Sequence, residues 1–179
     1  MTDLLIVDLE STCWKPGEQP PDQFNDVIEI GWVLVRNRLI VDAGSVPTWP
    51  TTSEVSPFCT ELTGWTGTKL AELKAQTFIE AMLYKAGISS YKHLSWASWG
   101  AYDRIQLEAQ CLREGLSFPL SRNHINLKAL ASVLMGTKPL GMAKALDKLG
   151  LTLEGRHHSG VDDAMNIARI WLKLTEGLT

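Results

Sequence analysis

The sequence predicts one α/β domain whose sheet begins as an antiparallel meander and continues through helical crossovers. Three observations predict it. Short apolar runs crowd the N-terminal part, LLIVDL from Leu4, VIEIGWVLV from Val27 and LIVDAGSV from Leu39, with only RNR between the last two. Patterns of helical period then take over, with a further apolar run, YKHLSWASW, placed among them. A chain of 179 residues suits one domain large enough to bury most of its unfolded surface.

Leu4–Leu9 reads as the first strand. The polar, Pro-rich stretch KPGEQPPDQFND that follows is too long for a tight turn and is a candidate functional loop. Val27–Val35, rich in β-branched residues, is the second strand and forms a hairpin with the third. Beyond Pro47, Pro50 and Pro57, the spacing of Leu70, Leu73, Phe78, Met82 and Ala86 predicts a helix over Lys69–Ala86, stopped by Gly87. YKHLSWASW is the fourth strand, and a helix over about Asp103–Glu114 ends at Gly115. HINL supplies a short fifth strand. Helices over Leu127–Met135, Gly141–Leu149 and Ser159–Leu174 complete the order. No repeat, low-complexity tract or linker divides the chain, so residues 1–179 are expected to form a single domain.

Composition narrows the function classes. With 45% hydrophobic and 21% charged residues the chain is globular in character. Its apolar runs are far too short to span a bilayer, and an N-terminus containing Asp3 has no basic targeting region, so no membrane partner is expected and the default compartment is the cytoplasm. Three widely spaced cysteines without a CxxC argue against a disulfide framework and against a zinc site. A net charge of −3 counts against a nucleic-acid binder that works through Lys and Arg alone. That objection weakens where bound metal supplies the positive charge.

Four carboxylates stand where carboxylates are costly. Asp8 and Glu10 are two residues apart on a strand, so both leave the same face and repel unless something positive lies between them. In the last helix Asp162, Asn166, Arg169 and Lys173 make a polar stripe, while Asp163 shares an apolar stripe with Ile167, Ile170 and Leu174. Asp162 therefore faces water and is free to pair with Arg169 or Asn166. A charge at Asp163 must be paired or coordinate a metal, or else cap the first turn, where a carboxylate is favoured by about 0.5–2 kcal/mol. His157 or His158 lies within reach of whatever Asp163 holds. Asp103 follows a strand and GAY and opens a helix, which also suits a simple N-cap. Hard oxygen ligands without cysteine suit Mg²⁺ or Mn²⁺. Two such ions clamp a phosphodiester for in-line attack, and a histidine takes the proton from the attacking water. Spacing leads to a two-metal phosphotransfer site without showing that the four segments converge.

DLEST (Asp8 to Thr12), WGAYD (ending at Asp103) and HHSGVDD (ending at Asp163) resemble, in order, the three motifs of the DEDDh superfamily of 3′–5′ exonucleases. The family's five-residue separation selects His158 with Asp163 and leaves His157 and Asp162 as neighbours. Further stretches, including VIEIGWVLV, FCTELTGWT, HINLKALASVL and GRHHSGVDDAMNIARI, are similar to the Eri/KapD-like exoribonuclease branch. The resemblance implies an RNase H-like fold, a mixed five-stranded sheet with strands 1–3 in an antiparallel meander, flanked by helices. It implies two ions, Mg²⁺ or Mn²⁺: Asp8 bridges both, Glu10 and Asp163 complete the first, and Asp103 serves the second largely through water. His158 is the implied general base. The substrate is the 3′ end of single-stranded RNA or DNA, with RNA favoured, shortened to nucleoside 5′-monophosphates. Leu9, Ser11 and Thr12 would lie beside the terminal sugar, and Leu62, Thr63 and Tyr102 near the terminal base or its neighbour. Gripping only the last few nucleotides needs few phosphate contacts, which answers the charge objection. Among the seven tryptophans, core packing is the first expectation for each; Trp14, Trp65 and Trp99 are the candidates for stacking on a base, the first two foremost because they follow motif-bearing loops. A DNA-directed proofreading or trimming enzyme is the nearest rival. A catalytically inactive nucleic-acid-binding module is the other, disfavoured because all four carboxylates and the histidine are present.

Overall fold

β1 (Leu4–Ser11) runs through the middle of the sheet, and its alternation sets the layers. Leu5, Val7 and Leu9 face one core with Ile30, Trp32, Trp96, Leu107 and Cys111. Leu4 and Ile6 face the other, with Val33, Val35, Ala97, Ala164, Ile167 and Ile170. Asp8 and Glu10 continue the second face, where a helix has to land. β2 (Val27–Arg36) and β3 (Leu39–Trp49) follow as antiparallel neighbours. Asn37 and Arg38 turn between them at φ 49° and 65°, the left-handed pair that a two-residue hairpin demands. The computed structural model describes residues 3–78, 81 and 91–177.

Two short helices, α1 (Pro57–Thr63) and α2 (Gly67–Glu72), lead to β4 (Gln76–Thr77). Then come β5 (Ser95–Ser98), α3 (Tyr102–Glu114), β6 (His124–Asn126), α4 (Leu127–Leu134), α5 (Met142–Lys148) and α6 (Gly160–Leu174). The sheet order is β4-β3-β2-β1-β5-β6, with β5 parallel to β1 and β6 parallel to β5. The mixed sheet flanked by helices and its opening meander are as the sequence predicts, with one added strand.

That strand interrupts the helix expected over Lys69–Ala86. Helix α2 stops at Glu72, Lys74 turns at φ 50°, and Gln76–Thr77 pairs parallel with Thr48–Trp49. The shared spacing was misleading because Leu70 and Phe78 are buried in different clusters and Leu73 is 51% exposed. Met82, Ala86 and Gly87 lie outside the described residues. The fourth strand also contracts to Ser95–Ser98, since Tyr91–Leu94 closes a turn through the Leu94 N–H to Tyr91 carbonyl bond. The Pro-rich loop ends on a firm anchor. Asp26 is buried, pairs with Arg113 and accepts the Thr52 N–H at 2.6 Å, while Gln110 accepts the Val27 N–H at 2.9 Å.

Candidate active site

The cleft opens beyond the C-terminal ends of the parallel strands β1 and β5, a position where α/β sheets commonly bind ligands. Pairing between these strands stops at Ile6 and Ala97. Gly100, at φ 123°, then turns the chain into α3. Past that point Leu9 donates its N–H not to a strand but to Asp103 Oδ1, at 2.9 Å. The α3 N-cap, Ala101, makes no side-chain bond. Asp103 is therefore no cap; its carboxylate crosses to the acid-bearing strand.

Helix α6 arrives from the other side through backbone contact. Gly31 lies directly across from Asp8 in the β1–β2 register. A Cβ there would come within 2.0 Å of the Gly160 carbonyl carbon and 2.4 Å of Val161 N. Only a bare strand position lets the helix start so close to Asp8. One turn later Asp163 is buried, and its carboxylate accepts the His158 N–H at 3.0 Å and lies 3.0 Å from His157 Nδ1. His158 takes φ 63°, and the two imidazoles stack 4.0 Å apart. Asp163 thus organises the histidine loop rather than capping a turn.

Oxygen atoms of Asp8, Glu10 and Asp163 lie within 4.8 Å of one another. No salt bridge neutralises Asp8, Glu10 or Asp103 among the described residues. Burial, then the charges of Asp103, Glu10 and Asp163, hold the Asp8 carboxyl well above its usual range. Burial and Asp163 push Glu10 up to about 8, against the pull of Arg156. Asp103 is raised by burial and eased by the Leu9 N–H. His158 is lowered by burial, then by His157. The oxygens of Asp8, Glu10 and Asp163, close together and mutually repelling, fit a hard divalent cation.

The same shifts give a measurable expectation. Glu10 binds its proton more tightly folded than unfolded, so its contribution to metal-free stability is fully present below about pH 4.5 and is lost as pH rises toward about 8. A divalent cation competes with that proton. Mn²⁺ is expected to raise the melting midpoint little at about pH 5 and strongly at about pH 8. Thermal melts in EDTA and in Mn²⁺ at both values check this, and equal Mn²⁺ shifts would contradict it.

Comparison with known proteins decides the family. The Exonuclease model (RNase_T) matches residues 5–171. The chain belongs to the Exonuclease family. ERI1 exoribonuclease 2 of Xenopus laevis is 29% identical over 93% of this chain and 27% of its own length. The 3′-5′ exonuclease Snipper of Drosophila melanogaster is 26% identical over 96% of this chain and 68% of its own. The solved nuclease domain of 3′hExo, a DEDDh family member bound to rAMP, is 28% identical with a TM-score of 0.86, covering 98% of this chain and 93% of that one. The chain spans under a third of the length of the ERI1 exoribonuclease 2 relative.

In this Exonuclease family member, a cleft of about 400 Å³ gathers Asp8, Leu9, Glu10, Ser11, Leu62, Tyr102, Asp103, His158 and Asp163. Thr12 and Thr63 do not line it. Thr12 is buried, donating to the Phe24 carbonyl and accepting the Asp26 N–H; Thr63 donates to the Cys59 carbonyl. Trp65 is also turned inward, 8% exposed with Lys69 over its ring, and Trp14 lies outside the lining. Trp99 is the tryptophan on the cleft wall, its Nε1–H given to the Leu140 carbonyl at 3.2 Å. The expected water-facing stripe of α6 is instead half covered. Asn166 is fully buried, bonding the Glu154 backbone, and Asp162 accepts the Arg156 N–H at 2.9 Å. Cys13, Gly141, Met142 and His157 complete the wall. Of these only His157 had a readable signal, its place beside the motif histidine. Arg156, whose guanidinium bonds the Leu62 carbonyl at 3.2 Å, was equally unannounced.

No helix of the described residues is long and apolar enough to cross a membrane.

Proposed function

We propose that this chain is one metal-dependent 3′–5′ exonuclease domain that releases nucleoside 5′-monophosphates from the 3′ end of single-stranded nucleic acid, RNA in preference to DNA. The observation that carries it is the meeting of four carboxylates and two histidines, His157 and His158, in a single open cleft, with no salt bridge to Asp8, Glu10 or Asp103 among the described residues. Asp8, Glu10 and Asp163 would hold one ion, and Asp8 and Asp103 the second. When bound, Mg²⁺ or Mn²⁺ supplies Lewis acidity toward water and positive charge toward the phosphate.

The chain's own residues supply the rest. His158, lowered below its ordinary value, stays neutral near pH 7 and so keeps a ring nitrogen free to take the proton of the attacking water. Its backbone N–H on Asp163 holds that imidazole close to the acid cluster. Leu9, Ser11 and Leu62 wall the space for the terminal nucleotide, and Tyr102, 53% exposed at the start of α3, offers a ring face and a hydroxyl beside it. The ERI1 relatives and the rAMP-bound neighbour support RNA over DNA, and the 2′-hydroxyl is the group a site uses for that choice.

Incubation with Mn²⁺ and a 5′-labelled oligoribonucleotide is expected to give a descending ladder, with a matched deoxyribonucleotide shortened more slowly. An unshortened RNA would sink the reading. His158→Ala is expected to slow turnover by about 10²–10⁴-fold while its melting midpoint still rises with Mn²⁺. Substantial retained turnover would remove His158 as the base.

A further inference from the structure

A fifth carboxylate lies beneath the site. Glu29 stands directly opposite Glu10 in the β1–β2 register, so both side chains leave the same face of the sheet. It is 3% exposed, and no Lys, Arg or His pairs with it among the described residues. Its charge instead adds to the repulsion felt by Asp8 and Glu10. A buried anion in such company is unfavourable unless its hydrogen bonds are strong and well placed.

They are both, and they reach two separate segments. Glu29 Oε2 accepts the Trp65 Nε1–H at 2.9 Å and the Gly160 N–H at 3.1 Å. Trp65 follows α1, whose Leu62 lines the cleft. Gly160 opens α6, two residues after His158 and three before Asp163. At the start of this 15-residue helix an anion is also favoured by the helix dipole.

We propose that Glu29 is a positioning residue that ties the Leu62 segment and the start of α6 to one point on the sheet. Through these two bonds the wall of the nucleotide pocket keeps its spacing from Asp163 and His158. The inference rests on the exonuclease reading above. The bonds need only an acceptor, so glutamine serves and alanine does not. A metal ligand would behave in the opposite way, because an amide is a poor substitute for a coordinating carboxylate.

The test compares Glu29→Ala, Glu29→Gln and Trp65→Phe in the whole chain, on labelled oligoribonucleotide with Mn²⁺. Glu29→Ala is expected to lower kcat by about 10–10²-fold, the scale of an ångström of misplacement. Glu29→Gln is expected to keep kcat within about threefold and the Mn²⁺-induced rise in melting midpoint. Trp65→Phe keeps an aromatic ring but removes the indole N–H along with the pyrrole half of the ring system, and is expected to raise KM several-fold with kcat little changed. Wild-type kcat in Glu29→Ala overturns the proposal. So does Glu29→Gln falling as far as alanine, or losing the Mn²⁺ response. Should Glu29→Ala fail to fold, an unchanged KM in Trp65→Phe overturns it. A wild type that leaves RNA intact strikes the exonuclease reading instead, whereas an active wild type beside an indifferent Glu29→Ala strikes only Glu29.

Discussion

Asp8→Asn is expected to abolish RNA shortening while making the metal-free protein more stable. Asp8 faces Glu10, Asp103 and Asp163, and their charges with its own burial raise its carboxyl well above the usual range. Asparagine has nearly the same shape and no charge, so it removes repulsion without opening a cavity. The same change takes away the carboxylate proposed to be shared by both ions. A loss of about 10³-fold or more in turnover is expected, at the upper end for removing one electrostatic contributor from an active site. The product ladder with Mn²⁺ reads the first effect and thermal unfolding in EDTA the second. A midpoint that falls in EDTA would mean that the acids stabilise one another, contrary to their shifts.

Gly31→Ala is expected to damage fold and activity together. The added carbon would meet Gly160 C, Gly160 O and Val161 N at 2.0 to 2.4 Å. These are backbone atoms, so no side chain can swing away. The start of α6 must move, and it carries Asp163 and His158 with it. Overpacking of this kind costs about 3 kcal/mol or more. A shift of about 1 Å in a ligand or base costs roughly 10²-fold in rate. Urea denaturation and turnover of the same preparation read both. Gly67→Ala is the control, because a carbon there meets nothing within 4 Å; its midpoint and activity are expected to match the parent. Parental turnover in Gly31→Ala would refute the idea that helix placement depends on this bare strand position.

Several features of the site were legible in residue order. Period two along a strand places Asp8 and Glu10 on one face, whatever the strand packs against. Period 3.6 along α6 sets Asp163 on the buried stripe and separates it from Asp162. Glycines at 115 and 150 marked helix ends that the structure closes with left-handed residues. Periodicity failed between Lys69 and Ala86, where two apolar residues with helical spacing serve different cores. It also had no means of separating Thr12 and Thr63, used inside the fold, from Ser11 and Leu62, which reach the cleft.

What the sequence determined by itself was therefore the local part: which acids share a face, that a pair of histidines precedes the last of them, and which donor chemistry they make together. Tertiary structure decided what each group meets. The Asp103 bond to Leu9 spans 94 residues and the Glu29 bond to Gly160 spans 131. Such pairings arise from how strands splay and where a helix lands. A side chain's own neighbours in the chain hold no record of that.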